Sequence, residues 1–314
     1  MTENRTCFKN AKHLSFLYCC LFFLTVSLCS GCSDRTAPLD LSMYQYRDTR
    51  NLVTFVYNAA EIVRRDGMKS IPYFRSNYNR YRTPDFYLYI YDIDGRNLYH
   101  AGMPWLEGKD LYNLTDISGK QVIQFILKAT SDPENPHGWV HYFWWEPGKF
   151  YPVPKSSCNF LVKTPEGRSL LVGGGMDYPH EEKEFIRIAV NGAVSLVEKN
   201  GEASIAEIAD PKSPFNYRDV RLFAFYPDGT MLISPILNNS SVQIKILECT
   251  DETGNRPFAD AVRKLANQDR VWVVFMAKNR YQRELVKKCL YLRKTSLSGK
   301  ELYIGAITDL PQPP

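Results

Sequence analysis

Between positions 138 and 155 the chain reads GWVHYFWWEPGKFYPVPK, and three of its five tryptophans, Trp139, Trp144 and Trp145, fall within seven residues there. His141, Tyr142 and Phe143 lie among them, and Lys155 follows a Pro-x-Pro. Such residues can fill a core, insert into a membrane surface or wall a small-molecule pocket. A pocket needs a concave apolar wall with a few convergent polar groups, and tyrosine supplies a flat apolar face and a hydrogen-bonding tip together. Tyr87 and Tyr89, two residues apart, would present their hydroxyls on one face of a strand. His100 stands at the far end of the strand that follows. A lysine ammonium among them would pair strongly with a carboxylate in a low-dielectric setting. The competing readings are sheet-core tyrosines, a solvated lysine and a structural histidine.

Other chemistry finds little support. The sequence has no nucleophile elbow, no H-E-x-x-H and no phosphate loop, so we read it as a non-enzyme without a cofactor. Gly173, Gly174 and Gly175 lack the Lys and Ser/Thr of a phosphate loop and read instead as a strand passing close to a neighbour. His137 and His141 would share a metal only on a helix, which Pro136, Gly138 and the strand pattern oppose. The net charge of +5 is dispersed with no Lys/Arg run, which argues against nucleic acid as a partner. With 44% hydrophobic and 23% charged residues, the 314-residue chain has a globular composition, enough for one large domain or two ordinary ones.

The elements that would position these side chains occur twice. DFYLYIYDIDG (85–95) is answered by DVRLFAFYPDG (219–229), each alternating large residues at period two and ending in an Asp-Gly turn signal. DISGK (116–120) is answered by DETGN (251–255), WVHY (139–142) by WVVF (272–275), and CNFLVKT (158–164) by CLYLRKT (289–295), followed by LLVGG and LYIGA. An amphipathic helix precedes each copy. One carries Leu52, Phe55, Val56, Ala59, Ile62 and Val63 and stops at Gly67; the other carries Ile186, Ala189, Val190, Ala193 and Val197 and stops at Gly201. The predicted fold class is α+β, with two tandem modules of the order helix, hairpin, Asp-x-x-Gly turn, short helix, three strands. The predicted boundaries are 44–182 for module 1 with its helix and 183–314 for module 2.

The N-terminus reads as a targeting segment over 1–31: basic Arg5, Lys9 and Lys12, an apolar run over 15–28, then small residues before Cys32. Gly31-Cys32 resembles a lipobox, which makes Cys32 the expected lipidation site and 32–43 a linker, although Cys29 stands where the pattern wants Leu. An uncleaved membrane anchor is the alternative. Either way the remainder is expected outside the cytoplasm, with no second span. The body keeps Cys158, Cys249 and Cys289, for which a Cys249–Cys289 bridge and three buried thiols are both open readings.

The hairpin YLYIYDIDGRNLYHAGMPWLEGKDL, the short helix DISGKQVIQFILKA and the strand trio spanning GWVHYFWWEPG to LLVGGGMDY resemble Cache domains, the extracytoplasmic PAS-like sensor modules of bacterial signalling proteins. The resemblance covers module 1 almost completely; module 2 is recognised mainly through the repeat. It implies a five- or six-stranded antiparallel sheet with a pocket over it that takes small carboxylates or amino acids. By the family pattern Tyr142 and Trp144 are on the pocket side and Lys155 faces the ligand, with Tyr87, Tyr89 and His100 completing the set. In module 2 Arg221 replaces Tyr87, Phe223 replaces Tyr89 and Ser234 replaces His100, with no Pro-x-Pro-Lys, so a spacer is expected there. Family members usually continue into a signalling domain. This chain does not, so a separate membrane signalling partner is expected to read the bound state. The rival readings are an interaction protein, dimerising or docking through its N-terminal helix, and a delivery protein for a transporter.

Overall fold

The computed structural model describes residues 39–146, 149–218, 220–234, 245–278 and 284–311. The targeting segment and Cys32 lie outside them. Module 1 contains α1 (Arg47–Asp66), α2 (Ser70–Ser76), α3 (Tyr78–Tyr81), β1 (Phe86–Asp92), β2 (Asn97–His100), α4 (Val122–Thr130), β3 (Val140–Trp145), β4 (Pro152–Lys163) and β5 (Ser169–Asp177). Module 2 contains α5 (Lys183–Asn200), α6 (Ala203–Ala209), β6 (Phe223–Phe225), β7 (Met231–Ile233), α7 (Pro257–Leu265), β8 (Arg270–Lys278), β9 (Leu285–Leu297) and β10 (Lys300–Asp309). Each module builds a five-stranded antiparallel sheet, in the orders β2-β1-β5-β4-β3 and β7-β6-β10-β9-β8. The α+β tandem expected from the repeat is the observed architecture.

Helix α1 buries Leu52, Val53, Val56, Ala59, Ala60 and Val63. Recurrence at three and four residues puts these on one stripe, and the stripe packs on its own sheet: a Cβ on Gly174 of β5 would meet Val56 and Leu52. The apolar face offered to a partner in the rival reading is therefore covered from within. Gly67, at φ +56°, ends α1 with its N–H on the Val63 carbonyl, and Gly201, at φ +58°, ends α5 on Val197 in the same way. In both modules a serine three residues on, Ser70 or Ser204, returns its hydroxyl to that glycine's carbonyl, at 2.6 and 2.5 Å.

The Asp-x-x-Gly turns also match atom for atom. Asp116 Oδ1 accepts from Ser118 N and Oγ and from Lys120 N, and its Oδ2 accepts from Phe143 N on β3. Asp251 does the same with Thr253 N and Oγ1, Asn255 N and Met276 N on β8. One carboxylate thus closes the turn before the short helix and ties it to the edge strand.

The strand ladders correct one part of the repeat. Cys158 lies opposite Gly174, whereas Cys289 lies opposite Thr308. The equivalent of Gly174 is Ala306, and its partner is Tyr291. The sequence match between CNFLVKT and CLYLRKT is therefore two residues out of register. The cysteines coincide by chance, since Lys155 follows Tyr142 at the same distance as Lys288 follows Phe275. The hairpin turns also differ: module 1 closes β4–β5 with five residues, 164–168, and module 2 closes β9–β10 with Ser298 and Gly299 alone. Both turn residues in module 2 have positive φ, 51° and 78°, as a two-residue hairpin turn matched to strand twist requires. A shift of two preserves which face each side chain occupies. The three body cysteines are free thiols, Cys158 and Cys289 buried and Cys249 exposed, so neither expectation for them holds in full.

Between the modules Glu182 acts as a clamp. Its carboxylate accepts from the backbone N–H of Gln45 and Tyr46, at 2.7 and 3.0 Å, just before α1. Gln45 Oε1 in turn accepts from Lys183 N at the start of α5. Burial raises the Glu182 pKa despite these donors. Glu182→Ala leaves two amide donors without their acceptor and is expected to cost about 2–3 kcal/mol of stability. Glu182→Gln keeps an acceptor and should cost about 1 kcal/mol. Urea unfolding of the two variants checks the order.

Candidate ligand site

Strand pairing brings the sequence-predicted residues onto one face of the module 1 sheet. Tyr87 stands opposite Gly175 and Tyr89 opposite Gly173 and His100. Lys155 stands between Asp177 on β5 and Tyr142 on β3, and Trp144 follows one step along. The period of two does the sorting: Val140, Tyr142 and Trp144 face the site, while Trp139 and His141 face away and pack on Phe185 of α5. Gly173 and Gly175 floor the face. A Cβ on Gly173 would land on the Tyr89 ring and Asn159 Oδ1, so only glycine lets Tyr89 lie flat across β5.

The rings are packed to one another. His100 stacks on Tyr87 and Tyr89 with centroids 5.1 and 5.8 Å away, and Tyr142 meets Trp144 edge-on at 5.9 Å. Tyr89 donates to Asn159 Oδ1 at 2.7 Å, and Asn159 Nδ2 donates to Gly138 O and Ser157 Oγ. His100 Nδ1 accepts from Met103 N at 2.9 Å, which leaves the ring proton on Nε2. Burial, with Lys155's charge adding to it, pulls the His100 pKa down to about 3, so the ring is neutral and serves as a donor. Burial pushes Tyr142 up to about 12 and Tyr87 and Tyr89 well above the usual phenol range, so all three keep their protons.

Lys155 is the centre of the arrangement. Its side chain is fully buried, its ammonium forms an ion pair with Asp177, and Nζ lies 4.7 Å from the Tyr87 ring centroid. Burial lowers its pKa, and the attraction of Asp177 opposes that. Lys155 Nζ, Asp177 Oδ1, Trp144 Nε1 and Glu146 Oε2 are all buried, and none makes a hydrogen bond of ordinary geometry. Buried polar atoms are nearly always satisfied. These four lie at one end of a sheet, and three of them are ionic: Lys155 and Asp177 pair with each other and Glu146 with Lys149, at 3.8 Å. Asp177, Ser157 and Asn159 escaped the sequence reading. Counting by twos from Gly173 and Gly175 would have reached Asp177 on the glycine face.

In module 2 the same face is filled by Phe223, Phe225, Val271, Val273, Leu290, Leu292 and Tyr303, with Phe258 packed against them. The ladder nonetheless places Lys288 opposite Phe275 and Asp309, at the positions of Lys155, Tyr142 and Asp177, and Lys288 pairs with Asp309. The two-residue slip hid this second lysine. The polar wall is what module 2 has lost, not the ion pair. No group of three or more potential metal ligands occurs among the described residues. His137 Nδ1 meets Tyr44 Oη and His141 Nδ1 meets Ser156 Oγ.

The family model of the Cache domain matches residues 74–306. The chain belongs to the Cache domain family. Cache sensor domains are extracytoplasmic ligand-binding modules, sensory rather than catalytic. Similar solved structures include a periplasmic sensor domain of a chemotaxis protein, 25% identical over 41% of this chain and 92% of that one, with a TM-score of 0.35. A Cache chemosensory domain described for carboxylic acid recognition is 20% identical over 42% and 93%, with a TM-score of 0.33. The ligand-binding domain of a Pseudomonas aeruginosa amino acid chemoreceptor, in complex with L-Arg, is 13% identical over 83% and 87%, with a TM-score of 0.28. No curated protein matches the chain. No helix among the described residues is long and apolar enough to cross a membrane.

Proposed function

We propose that this Cache protein is an extracytoplasmic sensor, tethered to the membrane through a lipid on Cys32, that binds a small carboxylate or amino acid in module 1 and acts through a separate membrane signalling partner. The observation that carries the reading is the buried Lys155 ammonium, ion-paired yet with hydrogen-bonding capacity left over, inside a wall of protonated tyrosines. A ligand carboxylate would accept from Lys155, from the Tyr87 and Tyr142 hydroxyls and from His100 Nε2. Asp177, beside it, would accept from a ligand ammonium, which favours a zwitterion over a simple acid. Trp144 and Tyr142 would cover the apolar part of the ligand.

The test is thermal unfolding against a panel of amino acids and small carboxylates. A ligand that binds only the folded state raises Tm by mass action, corresponding to about 2.7 kcal/mol at a hundredfold excess over Kd. Truncating one partner of a buried charge pair costs about 2–5 kcal/mol of binding, so Lys155→Ala should weaken the best ligand by 30-fold or more. A shift that survives in Lys155→Ala refutes the site. Fatty-acid labelling that persists in Cys32→Ser refutes the tether.

A further inference from the structure

On the side of β3 facing away from the ligand site a groove of about 320 Å³ opens between the modules. One wall is α5, which lines it with Phe185, Ile188, Ala189, Gly192, Ser195, Leu196 and Lys199. That spacing is a continuous helical stripe. It is distinct from the stripe α5 buries in its own module, Ile186, Val190, Ala193, Val194 and Val197. Ala189, Gly192 and Ser195 project nothing larger than a methyl or hydroxymethyl, and the Phe215 ring lies against Gly192, where an added Cβ would stand 3.1 Å from it. The opposite wall is Phe125 and Lys128 of α4 with Trp139 and His141, and Phe215 also lines the groove.

The charges at the mouth are asymmetric. Glu134 is already engaged, accepting from Arg187 and Asn191 at 3.0 and 2.8 Å. Asp132 accepts from Glu134 N at 2.9 Å. Lys128 and Lys199 also line the groove, and neither ammonium has an ion-pair partner among the described residues. A volume of this size falls at the lower end of small-molecule sites. Apolar walls with two uncommitted ammoniums at the rim suit a molecule with an apolar body and one negative charge.

We propose that this groove is a second ligand site, taking an amphipathic monoanion whose body is a short aliphatic chain or an aromatic ring system. An occupant would touch α4 and β3 of module 1 and α5 of module 2 together, unlike any ligand on the Lys155 face. The proposal does not depend on the module 1 reading, because the two sites lie on opposite faces of β3.

The experiment is calorimetric titration of 2-naphthoate into the full-length chain in lipid nanodiscs, with empty discs subtracted and uncharged 2-naphthamide as comparison. The expected result is saturable binding at one site per chain, lost in Ala189→Trp, which fills the groove. The double variant Lys128→Gln/Lys199→Gln should weaken 2-naphthoate by tenfold or more and leave 2-naphthamide unchanged. Lys155→Ala should leave 2-naphthoate binding unaltered, which separates this site from the other. Ser195→Phe, at an exposed position on the same stripe, blocks the groove should Ala189→Trp fail to fold. Absence of saturable heat, binding that persists in the blocked variants, or loss of binding in Lys155→Ala would each overturn the proposal.

Discussion

Acidification from pH 7.5 to 5 is expected to destabilise the fold steeply, at up to about 4 kcal/mol per pH unit near pH 5. Three of the five histidines are the cause. Burial lowers His100 and His141 to about 3 and His137 to about 4, against about 6.5 in the unfolded chain. Each ring is also held by a hydrogen bond to one nitrogen. His100 Nδ1 accepts from Met103 N. His137 Nδ1 is hydrogen-bonded with Tyr44 Oη, which accepts from Trp139 Nε1. His141 Nδ1 is paired with Ser156 Oγ, and its ring is stacked 4.1 Å from Tyr217. Lys155 faces His100 and Lys120 faces His141, each opposing a second positive charge.

The sign follows from proton counting. Between pH 6.5 and about 4 the unfolded chain carries up to three protons that the folded chain refuses, so stability falls as pH falls. Each proton is worth about 1.4 kcal/mol per pH unit, which gives the ceiling stated above. Glu182, raised by burial, works in the opposite direction at the acid end and trims the slope. Urea unfolding at pH 7.5, 6 and 5 measures the effect. His141→Phe should remove about a third of the slope, and a pH-independent midpoint over this range would refute the account.

The second large effect is expected from Asp116→Ala. Four donors lose their acceptor at once: Ser118 N and Oγ, Lys120 N and Phe143 N. Asp116 is only 8% exposed, so water reaches these groups poorly and the loss should be about 3–5 kcal/mol. Asp251→Ala removes the matching four bonds in a solvent-exposed turn and should cost distinctly less. Denaturation midpoints of the two variants give the comparison. Equal losses would mean that burial does not set the weight of this turn.

The fold was legible in the sequence because its signals are local and doubled. Gly67 and Gly201 punctuate helices, the Asp-Gly pairs punctuate hairpins, and period-two runs mark the strands. The face each side chain takes was also legible, since alternation alone assigns Tyr142 and Trp144 to one face and Trp139 and His141 to the other. The register of β4 and β9 was not. Counting on from the WVHY and WVVF match would have paired Lys155 with Lys288, and a chance cysteine match outweighed that. Lys288 and Asp309 were hidden for this reason. Asp177 was missed differently: a ladder sets it across from Lys155, a relation between residues 22 apart that composition does not carry. The inter-module groove was beyond sequence reading altogether. Ala189 belonged by spacing to the apolar stripe of α5, and only the docking of module 1 against that helix shows that it faces the other way.

Strand β3 is an edge strand in sheet order, yet side chains on both its faces are packed. Its even-numbered side chains, Tyr142 and Trp144, border Lys155, and its neighbours in sequence, Trp139 and His141, are wedged against Phe185 and Tyr217 of module 2. An outer strand has only one hydrogen-bonded neighbour to restrain it, so it is the member of a sheet that shifts most readily. Closely packed rings do not compress. The two faces of this one strand thus serve different modules: Tyr142 stands beside Lys155 in module 1, and His141 lies against Phe185 and Tyr217 of module 2.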